Sequence, residues 1–104
     1  MVLMGGYYAN SNIKRYDMNN YIDVYKLLAK NIKHYRRKKK VNQRELAILT
    51  GYSYEYIRRI ESSKSKKHFS IQTIYIISKA LEIPMYKLFI FDNKTTNESE
   101  ENTE

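Results

Sequence analysis

The chain has 104 residues, 19 Lys and Arg against 11 Asp and Glu for a formal net charge of +8, and no cysteine. That length holds one small domain with tails, and the lack of cysteine excludes a disulfide framework, a thiolate metal site and a cysteine nucleophile. No apolar run approaches the ~20 residues of a membrane span and the N-terminus lacks the apolar core of a signal peptide, so a cytoplasmic protein without a membrane partner is expected.

The charge is unevenly placed. Residues 24–91 carry 16 Lys and Arg against four Asp and Glu, a balance of +12, whereas residues 92–104 carry one Lys against five acids. A basic body favours a polyanionic partner, most simply nucleic acid, although a solvated Lys-rich surface has the same composition.

Residues 1–22 mix Gly5, Gly6 and several Asn and Tyr without a sustained period, which predicts a mobile arm. Met18 is an alternative start, one that would make residues 1–17 dispensable. Asp23 is placed to cap a first helix running to about Lys39, with Val24, Leu27, Leu28, Ile32 and Tyr35 at spacings of three and four. Arg36, Arg37, Lys38, Lys39 and Lys40 fall in its last turn and beyond, where cations suit the helix dipole.

The next stretch, NQRELAILTGYSYEYIRRIES over residues 42–62, reads as two short helices and a tight corner. Asn42 with Glu45 three residues on forms a capping box, and Leu46, Ala47 and Leu49 are the apolar positions of the second helix. Gly51 supplies the backbone freedom of a sharp stop. Ser53 caps a third helix over residues 54–62 that turns Ile57 and Ile60 inward. Small Ala47 lets the two helices approach. This is the helix-turn-helix pattern, whose second helix enters a DNA major groove.

Residues 63–69 form a polar loop with Lys64, Lys66 and Lys67. Ser70 caps a fourth helix over 71–81, predicted to place Ile71, Ile74, Tyr75, Ile77, either Ile76 or Ser78, and Leu81 on the core. Pro84 favours the opening of a short fifth helix ending near Phe89 or Phe91. From Asp92 the chain is polar, acidic and free of aromatics, which predicts disorder. The expected architecture is an all-α, five-helix domain over residues 23–91, between a mobile arm (1–22) and a disordered acidic tail (92–104). Asp23, Glu45, Glu55, Glu61, Glu82, His34 and His68 form no nucleophile–base or metal constellation. No catalysis, cofactor or metal is therefore expected, and both histidines read as surface residues.

Leu28, Ile32, Tyr35 and Arg36, then NQRELA, GYSYEYIRRIE and SIQTIYIISKALEIPMYKLF, together resemble the phage-repressor or xenobiotic-response-element (Cro/C1-type) helix-turn-helix family. The resemblance implies a repressor-like fold with the helix-turn-helix at helices 2 and 3. It implies that Gln43 meets DNA phosphate and that Tyr54, Glu55 and Arg58 read base edges. Arg44, Tyr56, Lys64, Lys66 and Lys67 join Gln43 as phosphate contacts, and Arg36 and Glu61 match a pair that bridges helix 1 to helix 3. By chemistry, Arg58 suits guanine, Glu55 suits cytosine, and Tyr54 suits a thymine methyl or a phosphate. Three positions depart from the family. Lys40 stands at a turn usually held by Gly, Ser63 replaces the Gly after helix 3, and the loop before Ser70 is two residues longer.

The expected function is a sequence-specific regulator of transcription, a repressor that binds a palindromic operator in double-stranded DNA as a homodimer. The apolar row Leu88, Phe89, Ile90 and Phe91 serves either that dimer contact or added core burial. The alternative is a protein-interaction module, such as an antitoxin with a DNA-binding domain, which engages a protein partner through the arm or tail.

Overall fold

A computed structural model describes residues 15, 17, 19, 22–64 and 68–91. Four α-helices follow in chain order: α1 (Val24–Lys38), α2 (Gln43–Thr50), α3 (Tyr54–Glu61) and α4 (Ile71–Ala80). A short 3₁₀ helix, Met85–Phe89, stands where a fifth helix was predicted. Pro84 itself is extended (ψ 141°) and only precedes that turn, so the described residues hold four α-helices, with a 3₁₀ turn in place of the fifth, and no strand. Most of the predicted arm and all of the acidic tail lie outside the described residues.

Each α-helix starts on a side-chain cap made within three residues. Asp23 accepts the Tyr25 N–H, Ser53 the Tyr56 N–H and Ser70 the Thr73 N–H. At α2 the box is reciprocal: Asn42 Oδ1 accepts from Glu45 N, and Glu45 Oε1 accepts from Asn42 N, both at 2.8 Å. Such caps satisfy backbone donors that the helix itself leaves unpaired, each contributing about 1 kcal/mol.

α1 and α4 end alike. Lys40 and Glu82 take the left-handed conformation at φ 59° and 57°. In each case two backbone bonds close the Schellman pattern: Lys40 N to Arg37 O with Val41 N to Arg36 O, and Glu82 N to Lys79 O with Ile83 N to Ser78 O. The residue that follows, Val41 or Ile83, packs against the core. A side-chain residue in this backbone region costs about 1–2 kcal/mol, which the apolar contact of Val41 or Ile83 helps to offset. Lys39 and Glu82 also meet in an exposed ion pair of 3.4 Å.

Ile32, Leu46, Ile57, Ile77 and Leu88 are fully buried, one from each helical element. The core therefore forms only when all five elements are docked, and each such side chain contributes about 1.5–3 kcal/mol of burial. Several predicted core positions face solvent instead: Val24, Leu49, Ile71 and Tyr75 are exposed. On α4 the buried residues are Thr73, Ile74, Ile77 and Ser78, because small hydroxylated side chains fit a close helix contact once their oxygens are bonded. Ser78 Oγ donates to Tyr75 O at 2.8 Å, and Thr73 Oγ1 lies 3.2 Å from both Ser70 Oγ and Tyr52 Oη.

Candidate nucleic-acid interface

The corner between α2 and α3 is built from three local features. Gly51 is left-handed (φ 83°) and donates to Ala47 O at 2.9 Å. A Cβ added there would meet nothing within 4 Å, so backbone conformation, not space, calls for glycine. Thr50 Oγ1 donates to Leu46 O at 2.8 Å and accepts from Tyr52 N at 3.2 Å, which ties the end of α2 to the start of the turn. Ser53 then opens α3.

The attitude of α3 is fixed from below by a buried polar knot. Arg36 Nε donates to Glu61 Oε2 at 2.7 Å, Arg36 Nη2 to Glu61 Oε1 at 2.9 Å, and Arg36 Nη1 to Val41 O at 2.9 Å. The two side chains are only 9% and 2% exposed. Gln43 Nε2 donates to the same Glu61 Oε1 at 3.0 Å. One carboxylate thus receives three hydrogen bonds, two from α1 and one from α2. The bidentate fork adds direction to the Coulomb attraction, and it sets the angle at which α3 leaves the domain. A phosphate contact was expected of Gln43; its amide is half-buried and serves this knot, a role that spacing alone did not reveal.

Above the knot, α3 presents its other side to solvent. At about 100° per residue, the buried Ile57, Ile60 and Glu61 mark one side, and Glu55 and Arg59 lie opposite them. Glu55, Arg58 and Arg59 are exposed. Arg58 stands to one flank, beside Tyr54: its Cζ lies 5.6 Å from the Tyr54 ring centroid. Arg44 of α2 comes closer, stacking its guanidinium 3.9 Å from the same ring. Tyr54 is half-buried and packs against the core, so these contacts form on an anchored ring. A shallow open depression of about 450 Å³ at this corner is lined by Arg44, Ala47, Ile48, Gly51, Tyr52 and Tyr54.

Of the remaining positions singled out from sequence, Tyr56 is half-buried, with its hydroxyl 3.4 Å from Thr73 Oγ1 and its ring edge-on to Tyr52. Lys64 is exposed at the end of α3, where its backbone N–H donates to Ser62 Oγ at 3.2 Å. Lys66 and Lys67 lie outside the described residues. His34 and His68 are exposed, and His68 stacks on Tyr25 at 4.3 Å. Sequence reasoning passed over Arg59, although counting turns from Ile57 and Ile60 finds it: it is two positions past Ile57 and one before Ile60, hence on the outward side. Among the described residues, no group of three or more His, Cys, Asp or Glu could hold a metal ion, and no helix is long and apolar enough to cross a membrane.

A corner of two helices, the second standing clear of a basic surface on a buried strut, defines a helix-turn-helix DNA-binding domain. The helix-turn-helix family model matches residues 32–88, more than half of the chain, and the protein belongs to this Cro/C1-type family of DNA-binding transcription regulators. It is 29% identical over 68 residues to the control protein C.SmaI of Serratia marcescens, an alignment that covers 65% of this chain and 79% of that protein. Among solved structures it resembles the restriction-modification controller protein C.AhdI from Aeromonas hydrophila, with TM-score 0.58 and 25% identity over 62% of this chain and 96% of that one. The fold is also shared with the clp gene regulator ClgR from C. glutamicum, with TM-score 0.62 and 23% identity over 67% and 88% of the two chains.

Proposed function

We propose that this protein is a sequence-specific repressor that binds a palindromic operator as a homodimer, of the kind that controls restriction-modification genes. The observation that carries the reading is the outward side of α3. Glu55, Arg58 and Arg59 stand exposed on a helix whose opposite side is locked by Ile57, Ile60 and the Glu61 knot. In a major groove, Arg58 and Arg59 suit guanine O6 and N7, and Glu55 suits the amino group of cytosine. Tyr54 completes the reading surface at the start of the helix. Arg44 and Lys64 border it as cations for phosphate, and Gln43, Tyr56, Lys66 and Lys67 are the further phosphate contacts of this reading. The names of the related controller proteins support assigning the regulated genes to a restriction-modification system.

One such domain spans only a few base pairs, and a symmetric pair reads two half-sites ~34 Å apart. Support for pairing comes from apolar side chains left exposed on the last elements. Leu88 is fully buried, so it belongs to the core, but Tyr86, Phe89, Ile90 and Phe91 are exposed, as are Ile71 and Tyr75 one turn apart on α4. Asn31 of α1 holds the segment in place, donating from Nδ2 to Leu88 O at 2.8 Å and to Ile90 O at 3.1 Å. The test is selection of bound duplexes from a random pool. The expected result is an inverted repeat with half-site centres about one helical turn apart; a pool that stays unenriched would refute sequence-specific binding, and a single asymmetric site would refute the dimer.

A further inference from the structure

We infer that Tyr54 acts as a positioning residue: its ring aligns Arg44 from α2 and Arg58 from α3 into one paired reading head, which makes Arg44 a determinant of sequence preference and not a phosphate clamp alone. The inference rests on the reading of α3 as the recognition helix and deepens it.

Three observations carry it. Arg44 and Arg58 sit on different helices, yet both guanidinium carbons lie near the same ring, at 3.9 and 5.6 Å. The ring is fixed, since Tyr54 is half-buried and packs on the core at the start of a capped helix. Both arginines are exposed, and among the described residues neither is joined to a carboxylate in an ion pair.

The chemistry follows from the shape of the guanidinium. A stacked guanidinium keeps its N–H edge in the plane and free to form a fork onto an acceptor pair. Guanine offers such a pair at O6 and N7. A flexible arginine loses rotamer freedom when it makes that contact, whereas one already held on an aromatic plate loses less. The stack therefore shifts Arg44 from a mobile cation towards an oriented donor, and it does the same more weakly for Arg58, which is farther from the ring. A ring without its hydroxyl would serve equally well. A branched aliphatic side chain fills space without a π-face and would not serve.

The experiment measures Kd for the selected duplex and for a scrambled duplex of equal length, and takes their ratio as the preference. Tyr54→Phe is expected to keep a ratio several-fold above that of Tyr54→Leu, because the ring carries the alignment. Tyr54→Leu, Arg44→Ala and Arg44→Lys are each expected to lower the ratio about tenfold, the scale of one bidentate base contact. Arg44→Lys should leave the salt dependence of scrambled-DNA binding unchanged, since the charge is kept. Tyr54→Leu combined with Arg44→Ala should lower the ratio no further than either alone. Thermal midpoints by circular dichroism accompany every variant. If Tyr54→Leu does not fold, the Arg44→Lys and Tyr54→Phe arms still decide the question. Equal loss in Tyr54→Phe and Tyr54→Leu would assign the effect to the hydroxyl and overturn the inference. So would equal weakening of both duplexes by Arg44→Ala, or multiplying losses in the double variant. A parent protein without preference for any duplex would instead refute the recognition-helix reading itself.

Discussion

Glu61→Gln keeps the shape of the side chain and removes its charge, which makes it the sharpest perturbation of the knot beneath α3. Glu61 accepts three hydrogen bonds through two oxygens, from Arg36 Nε, Arg36 Nη2 and Gln43 Nε2. An amide offers only one oxygen. If that oxygen stays at the Oε1 position, it keeps the Arg36 Nη2 and Gln43 bonds and turns its NH₂ against the Arg36 Nε–H. The reverse orientation loses two bonds instead of one. Either way the Arg36 charge remains buried with only the Val41 carbonyl and one amide oxygen around it. Removing one partner of a buried pair typically costs ~3–5 kcal/mol; retained bonds place this variant near the lower end, about 3 kcal/mol.

That loss is large for a domain of this size. About 70 ordered residues at the usual 0.05–0.15 kcal/mol each give a total stability of about 3–10 kcal/mol. In urea, where small domains lose roughly 1 kcal/mol per molar, the midpoint should fall by about 2–3 M. Far-ultraviolet circular dichroism through a urea titration measures it. Replacing both members by apolar residues, Arg36→Met with Glu61→Leu, should lose less than Glu61→Gln alone, because no charge is then stranded. An unchanged midpoint for Glu61→Gln, or a double variant worse than the single one, would refute the reasoning.

The two left-handed corners give the opposite sign: Lys40→Gly and Glu82→Gly should each stabilise by about 1 kcal/mol, seen as a rise of about 4–8 °C in thermal midpoint, while Gly51→Ala should lower it. On DNA, Arg59→Ala should cost about 1–3 kcal/mol on the selected site and flatten preference at one base position, whereas Lys64→Ala should weaken all duplexes alike and reduce the salt slope by about one; anisotropy titrations on selected and scrambled duplexes separate the two. Ile90→Ser should leave the urea midpoint nearly unchanged, since Ile90 is exposed, but should shift sedimentation from dimer to monomer.

What the sequence made legible is what is held locally. Asp23, Asn42 with Glu45, Ser53 and Ser70 all cap within three residues of themselves, so adjacent letters suffice to find them, and the left-handed Gly51 follows from the same turn chemistry, whereas the turn at Lys40 was indicated only by the family resemblance. The inward Ile57 and Ile60 were legible because α3 has an unambiguous apolar side. α4 does not: five of its ten residues, Ile71, Ile74, Tyr75, Ile76 and Ile77, are large and apolar, and periodicity cannot say which arc of such a helix meets the core. The packing chose the arc with Thr73 and Ser78, whose hydroxyls have partners on neighbouring residues. The fifth element shrank to a 3₁₀ turn, with Asn31 anchoring the backbone around it from fifty-seven residues away, a contact no local pattern encodes.

The same distinction separates the two layers of the candidate interface. The Arg36–Glu61 contact could be inferred from resemblance because it joins two family positions, but the entry of Gln43 into it and the Arg44–Tyr54 stack depend on how α2 lies across α3. Both additions tie α2 to α3, one beneath the recognition helix and one at its exposed start. Gly51 lets the chain turn between these helices, and the two contacts restrain the angle it leaves open. For a module that must place a few side chains within hydrogen-bond reach of base edges, that restraint matters as much as the identity of the reading residues. Substitutions at Gln43 or Arg44 should therefore alter sequence preference even where the side chain itself touches no base.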